Sequence, residues 1–466
     1  MNLNINPINV LYLPEPEQYL LSMLLATFNE RSPYNEEKNK YYEGNIDIGS
    51  VNLGLALPKA ITGFEIGCAW GSKTVDVLAA RSMFDGFVSM TTGEPVPELD
   101  AIVSRNRLVA EYMKAARDEL KYGCTFSTLS LDEQNKCKIR FHSPRMAAAR
   151  WDGDKGRIAC GMAVMDAPPT NGADLVWSPS LIYLYTDNAI WQLRRATSQM
   201  WIATPYRHRM GRPLMEPLIW NATSDKPFGR SRIKAPIRHL IDSYVRTIAN
   251  ATIGLEFATS PQKYLLGVTD DQYDAVVNDK FRQYVGNILA ATANPDTGEK
   301  PTFGQLAQGT ITPHVDMLRT LATQFSSATG LPVSDTGVVN DANPTSSDAI
   351  QAQSTTLIGM AEQLNTGNGD SLRTIAQMAL AMENDTTVDK LTEDQLGAVA
   401  HFRNPAMPSL AETADAAVKI AANRQSFAGT DVYLEMMGFS QADIRRITAQ
   451  ETRARGLSVL EEMGIQ

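Results

Sequence analysis

The sequence predicts a mainly helical α+β protein, and three observations carry that reading. Apolar residues recur at helical spacing through residues 1–125 and again from Arg230 onward. Between these stretches, residues 136–222 switch to the alternating period of strands broken by turn residues. Hydrophobic residues make up 43% of the 466 and charged residues 20%, enough to bury a core in a chain of this length.

In chain order, Thr74–Phe87 places Val77, Leu78, Arg81 and Phe84 at helical spacing, with Gly86 closing the run. Ser104–Leu120 repeats the pattern with Leu108, Tyr112, Ala115 and Leu120, and Gly123 is its stop. In Arg157–Val164, Ile158, Cys160, Met162 and Val164 alternate with smaller residues, as in a half-buried strand. Leu181–Tyr185 and Ile190–Leu193 flank Thr186-Asp187-Asn188 and read as a hairpin; Ser198–Ala203 is a further strand. The whole block reads as an antiparallel meander.

From Arg230 the apolar stripe Ile233, Ile237, Leu240, Ile241, Tyr244, Ile248 and Leu255 predicts a long helix, with Pro236 in its first turn. Asp270–Ala291 is a second helical candidate, and residues 294–298 (Asn-Pro-Asp-Thr-Gly) make an exposed turn. Thr312-Pro313 reads as a hydroxyl cap followed by proline, ahead of Val315, Leu318, Leu321, Ala322 and Phe325, and Gly330 stops that helix. After the irregular Leu331–Pro344, Thr345-Ser346-Ser347-Asp348 caps a helix carrying Ile350, Leu357, Ile358 and Leu364. Ser409–Met463 is helical again, broken at Gly438 and Gly456.

Composition and motifs exclude more than they suggest. No run approaches the ~20 apolar residues of a membrane span. The N-terminal segment has no basic residue ahead of its apolar part and does not read as a signal peptide. The four cysteines, Cys68, Cys124, Cys137 and Cys160, lack CxxC spacing, which disfavours zinc and suggests reduced thiols. The net charge of −9 opposes tight general binding to nucleic acid. Residues 67–74 (Gly-Cys-Ala-Trp-Gly-Ser-Lys-Thr) imitate a phosphate loop. However, only three residues separate the glycines, and Ser72 intervenes before Lys73, so a turn entering a helix is the better reading. His142, His208, His239, His314 and His401 form no metal-binding pair, and no GxSxG elbow exists. Tyr206-Arg207-His208-Arg209 reads as a solvated loop. No catalytic residue, metal or cofactor is expected.

Three passages resemble one family. Arg209-Met210-Gly211-Arg212-Pro213-Leu214 leads to Lys226-Pro227-Phe228-Gly229-Arg230-Ser231-Arg232-Ile233. Gly330-Leu331-Pro332 leads to Asp341-Ala342-Asn343-Pro344-Thr345-Ser346-Ser347-Asp348-Ala349-Ile350. The third, weaker passage is Trp70–Phe87. In this order they resemble the portal proteins of long-tailed, siphovirus-like bacteriophages, over residues 40–450; the first forty residues match nothing in that pattern.

The resemblance implies a portal fold with wing, stem, clip and crown regions. Residues 1–229 would form the wing, 230–259 the first stem helix, 260–312 the clip and 313–330 the second stem helix. The channel loop and the helix after it would be 331–364, followed by a wing return over 365–408 and the crown over 409–466. The loop lining the DNA tunnel would carry Val333, Ser334, Asp335, Thr336, Val338, Asn340 and Asp341. Stem and clip residues would include Arg230, Arg232, Asp296, Glu299 and Lys300. Family members are virion proteins, assembled in the host cytoplasm as rings of twelve at a capsid vertex. They pass double-stranded DNA during packaging and ejection. Their partners are the terminase, the head–tail adaptor, the major capsid protein and scaffold, and no membrane.

One feature supports a conduit without that resemblance. Thr320–Leu372 contains no lysine or arginine, while Asp335, Asp341, Asp348 and Glu362 are present. A ring of lysines would grip a phosphate backbone, since about 6–10 cationic contacts already bind DNA strongly. The competing expectations are another head–tail connector or adaptor, a nucleotide hydrolase using Lys73, and a helical DNA-binding module. The length disfavours the first, the loop spacing the second and the acidic balance the third.

Overall fold

The computed structural model describes residues 2–46, 66–90, 95–166, 176–177, 179–197, 199–259, 263–266, 298, 300, 302–305, 310–337, 347–406, 410–439 and 441–462. The protein is an α+β molecule with three apolar cores, two on opposite faces of one sheet and the third linked to one of these by a long helix. Helix α1 (Glu15–Glu43) follows two short strands, β1 (Asn2–Leu3) and β2 (Val10–Leu11). Next come α2 (Trp70–Ala79), β3 (Phe84–Ser89), α3 (Pro97–Asn106) and α4 (Leu108–Tyr122).

The strand block divides among three sheets rather than forming one meander. Strands β4 (Cys124–Leu131) and β5 (Cys137–His142) pair, and β12 (Met215–Ile219) returns to the other edge of β4. The larger sheet has the order β2-β11-β10-β9-β7-β6. Its members are β6 (Ala147–Asp152), β7 (Arg157–Val164), β9 (Leu181–Tyr185), β10 (Ala189–Arg195) and β11 (Trp201–Arg207). Strand β8 (Val176–Trp177) pairs with β1. The predicted hairpin is present as β9–β10, and the last strand lies three residues later than the Ser198–Ala203 expectation.

Alternation gives the large sheet two apolar faces. Met162, Ile182, Leu184 and Trp191 meet Leu21, Leu24 and Phe28 of α1, forming one core. Ala163, Tyr185 and Ile190 point the other way, toward Tyr112, Leu129, Ile139 and Leu218 in a second core.

Beyond the strands, α5 (Ala235–Thr259) and α6 (Thr312–Thr329) pack on one another. The start of α5 (Ile237, Ile241, Val245) and the end of α6 (Leu321, Ala322, Phe325) share the third core, so the two run antiparallel. Between them, β13 (Lys263–Leu266) pairs with β14 (Thr302–Gln305). The helical candidate at 270–291 and residues 294–297 of the predicted turn lie outside the described residues. Helix α7 (Ser347–Glu383) then crosses from the third core into the second. There Leu357, Ala361 and Leu364 give way to Leu372, Ile375 and Ala376. After α8 (Glu393–Leu396), β15 (Ala398–Phe402) pairs antiparallel with β3.

The chain continues as α9 (Leu410–Asn423), α10 (Asp431–Met436) and α11 (Gln441–Glu462). These helices meet the body through Arg445 on Asp100 at 2.8 Å and His401 beside Glu435 at 3.6 Å.

Several expectations need correction. Helix α2 stops at Ala79, and Phe84–Phe87 belong to β3, because pairing with β15 supplies a ladder that local spacing does not reveal. The predicted 104–120 helix is two helices, broken at Arg107 with φ +50°. Ile311, not Thr312, occupies the cap of α6, which puts Pro313 in its first turn. Helix α11 runs straight through Gly456, although Gly438 does break the tail at φ +88°. The capping residues Thr345 and Ser346 lie outside the described residues. All four cysteines are buried and free. No helix among the described residues is long and apolar enough to cross a membrane.

Candidate functional site

The segment Lys226–Ile233 is a joint between the strands and α5. Phe228 sits edge-on against Phe126 and Trp151, with ring centroids 5.7 Å apart in each case. Gly229 has φ +67°, and a Cβ there would lie 2.1 Å from the Trp220 carbonyl oxygen and 2.8 Å from that of Gly123. Only glycine fits both the conformation and the space. Ser231 Oγ donates to the Lys121 carbonyl at 2.6 Å and accepts the Ile233 N–H at 2.9 Å. This closes the turn that launches α5.

Arg232 lies at the centre of the joint, only 7% exposed. Its Nε donates to the Thr74 carbonyl of α2 and its Nη2 to the Thr329 carbonyl at the end of α6, both at 2.7 Å. Its Nη1 lies 3.2 Å from Met360 Sδ on α7. One guanidinium therefore ties α2, α6 and α7 to the start of α5. A cation at the carbonyl end of α6 also complements that helix's dipole. Burial, with no carboxylate beside it among the described residues, pushes the Arg232 pKa down to about 10.

The short 3₁₀ turn Val333–Thr336 leaves α6 after Gly330, whose φ of +71° reverses the chain. Two side chains of α2 hold it. Trp70 Nε1 donates to the Thr336 carbonyl at 3.1 Å, and Lys73 Nζ donates to the Asp335 carbonyl. The Trp70 indole stacks on Phe325 at 4.4 Å and meets Tyr244 at 4.3 Å. The phosphate-loop imitation is thus a clasp. Lys73 is turned onto a backbone carbonyl, and Gly71 is needed because a Cβ there would fall 1.9 Å from the Tyr41 carbonyl oxygen.

Among the described residues, the exposed positions of the end of α6 and of α7 up to Asp370 carry no cation. On α7 the exposed stripe reads Thr355, Thr356, Gly359, Glu362, Gln363, Thr366, Gly367 and Asp370. The last turns of α6 expose Thr323, Gln324, Ser327 and Ala328. Hydroxyls, amides and two carboxylates make up the polar groups of this face.

Of the residues expected to line a channel, Ser334 is exposed, Val333 and Asp335 are half-buried, and Thr336 is buried. Val338, Asn340 and Asp341 lie outside the described residues. Arg230 stays on the surface, 3.8 Å from Asp225, two residues from the buried Arg232. Lys300 is exposed; Asp296 and Glu299 lie outside the described residues. Sequence reading missed Trp70 and Lys73 as anchors, since nothing local links them to residues more than 260 positions away. It also missed Tyr41, whose hydroxyl donates to Asp242 of α5 at 2.9 Å.

The histidines converge on nothing. His142 is half-buried beside Thr128, and desolvation pushes its pKa down to about 4. No group of potential metal ligands occurs among the described residues.

A family model described as "Phage portal protein, SPP1 Gp6-like" matches residues 21–454. The chain belongs to that portal family. The portal proteins of Mycobacterium phages D29 and L5 are each 24% identical, the first over 455 residues and the second over 454. Each alignment covers 94% of this portal protein and 90% of the relative. Two solved chains come from particles titled "Virion of native gene transfer agent (GTA) particle" and "Neck of native GTA particle computed with C12 symmetry". They are 11% and 12% identical, with TM-scores of 0.46 and 0.45. The first alignment covers 87% of this chain and 93% of the other, the second 85% and 98%. The family assignment rests on the sequence match and not on these distant likenesses.

Proposed function

We propose that copies of this chain close into a ring at a capsid vertex and pass double-stranded DNA through its bore. The observation that carries this reading is the family match along residues 21–454. In this assignment α5 and α6 are the stem, and the β13–β14 ladder closes the neck of a clip spanning residues 260–312. The strand sheets with α1–α4 are the wing, residues 365–408 return to it, and α9–α11 form the crown.

The stem assignment is supported by the far ends of the helix pair, where Leu255, Val315 and Met317 are 46%, 40% and 45% exposed. Apolar side chains left open on a two-helix arm suit burial against neighbouring subunits in a closed, head-to-tail ring. The bore would be lined by the Val333–Thr336 turn and by the cation-free stripe of α7. Such a wall offers the phosphate backbone hydrogen bonds at most and no ionic grip, which keeps sliding barriers low. The partners of this portal would be a terminase and then a head–tail adaptor at the clip, with capsid and scaffold proteins around the wing. The protein would act as a structural component of the virion, put together in the host cytoplasm.

Cryo-electron microscopy of the purified full-length chain tests this. The expected image is a closed ring with α7 beside a central bore. Monomers only at micromolar concentration, or a ring with the Thr355–Asp370 stripe on its outer rim, would overturn the assignment.

A further inference from the structure

Glu119 of α4 and Asn368 of α7 are both fully buried. Asn368 Nδ2 donates to Glu119 Oε2 at 2.7 Å and to the Tyr112 hydroxyl at 2.9 Å, which uses both of its amide protons. The Tyr112 oxygen lies 2.6 Å from Ser82 Oγ, and Ser82 Oγ donates to Asn365 Oδ1 at 2.6 Å. With the serine proton committed to Asn365, the proton between Tyr112 and Ser82 is that of the tyrosine. The donors therefore run one way, from Asn368 through Tyr112 and Ser82 to Asn365, and every proton in the chain is placed.

Two acceptors are left over. Glu119 Oε1 and Asn368 Oδ1 are buried with no hydrogen-bond partner among the described residues. They belong to the two planar groups already joined by the 2.7 Å bond. A carboxylic acid and a primary amide that share one N–H···O edge can close the other edge with O–H···O. One proton on Oε1 thus supplies both oxygens at once. An ionised carboxylate supplies neither, and leaves a charge buried without a counter-ion.

The surroundings favour the neutral form. No cation faces Glu119 among the described residues. Lys121, two residues on, is turned onto the Tyr42 ring at 3.8 Å and lies 3.6 Å from Glu43. Lys38 of α1 donates to the Tyr122 carbonyl, and Arg232 is directed to the carbonyls of Thr74 and Thr329. The titratable groups that do face Glu119 are Tyr112 on its own helix and Cys124 of β4, and burial raises both, so each is neutral around neutral pH. Helix α7 presents the amides of Asn365 and Asn368, and the turn before β3 presents Ser82; none of these titrates. Burial accordingly holds the Glu119 carboxyl up to about 8, with the Asn368 bond opposing it.

We propose that Glu119 is a proton-binding site. At neutral pH it carries a proton on Oε1 and donates it to Asn368 Oδ1, closing a two-bonded acid–amide pair between α4 and α7. Through Tyr112, Ser82 and Asn365 the same proton completes the tie to the turn between α2 and β3. The tie is complete in acid and is lost as pH rises past about 8, when a bare carboxylate is left where these elements meet. The site belongs to the packing of one subunit and does not depend on the ring or on DNA.

Infrared difference spectra of the full-length chain test this. The unaltered protein minus Glu119→Gln should show the carbonyl band of a protonated carboxylic acid, one that disappears as pH is raised from about 7 to about 9.5. Glutamine presents an N–H where the acid presents its O–H, so the variant keeps the second bond. It should fold, melt within a few degrees of the unaltered chain at neutral pH, and outlast it in alkali. Absence of the acid band from the neutral difference spectrum would overturn the proposal. So would a Glu119→Gln chain that fails to fold or melts far below the unaltered one at neutral pH. Either would mean that the site requires an ionised carboxylate, held by a water or a cation.

Discussion

Replacing Arg232 by alanine tests whether the joint is held by one side chain. Two charge-assisted bonds at 2.7 Å would be lost, to the carbonyls of Thr74 and Thr329, together with the contact to Met360. Hydrogen bonds from charged groups contribute about 1.5–3 kcal/mol each, so the two together give about 3–6 kcal/mol. The lower end applies. The guanidinium is buried with no carboxylate beside it among the described residues, and its depressed pKa records the desolvation that its removal would relieve. The expected loss is therefore about 3 kcal/mol, a large share of the ~5–15 kcal/mol that holds a typical domain together. Arg232→Lys keeps the charge but not the fork, and should lose about half as much. Urea unfolding monitored through tryptophan fluorescence measures both, with the midpoint shift read at constant slope. A loss below about 1 kcal/mol for the alanine variant would refute the view that this side chain ties α2, α6 and α7 together.

Other outcomes follow from the same geometry. Gly229→Ala forces a side chain into the Trp220 carbonyl and should abolish soluble expression. Gly211→Ala has φ +61° but open space, and should cost only the ~1–2 kcal/mol of the left-handed conformation; thermal melts compare the two. Glu119 is held up to about 8 by burial, above the 4.5 of an unfolded glutamate. Folding therefore takes up a proton, and the associated stability, complete below pH 4.5, is lost as pH rises to about 8. Glu119→Gln should flatten that slope by up to about 1.4 kcal/mol per pH unit, measured by denaturation at a series of pH values, and an unchanged slope would contradict the assignment. Gln363→Lys places a cation on the exposed stripe of α7. In a ring it should produce DNA retention that weakens steeply between about 50 and about 200 mM salt in filter-binding assays, and unchanged affinity would place the stripe away from DNA.

The elements legible in the sequence are those whose signals are local. Gly123, with φ +108°, and Gly330, with φ +71°, end α4 and α6 as their positions suggest, and the Thr186–Asn188 turn closes its hairpin. The expected stripe on α5 is buried at Ile237 and Ile241 but exposed at Leu255, because the helix outruns its core. What escaped reading is long-range. Phe84 and Phe87 sit at helical spacing from α2, but β15, about three hundred residues on, pairs with them as a strand. Likewise β12 leaves the strands before it to join β4 across the second core. Arg107 adopts a left-handed conformation that nothing in its side chain announces. At the joint, the residues of the Lys226–Ile233 passage were visible as a motif. Their purpose was not, because Gly229, Ser231 and Arg232 meet backbone carbonyls, and Phe228 meets aromatic rings, contributed by other parts of the chain.

The buried cysteines have a practical corollary. Burial raises the thiol pKa of Cys68 and Cys160 to about 11 and of Cys124 and Cys137 to about 12, so none offers a thiolate to reagents near neutral pH. The folded chain should therefore react slowly with maleimides and mild oxidants, which thiol labelling at neutral pH checks. A single cysteine placed at an outward position such as Thr356 would be the sole labelled atom. Pairs of such cysteines could be cross-linked from one subunit to the next, mapping neighbours without first stripping out the native residues.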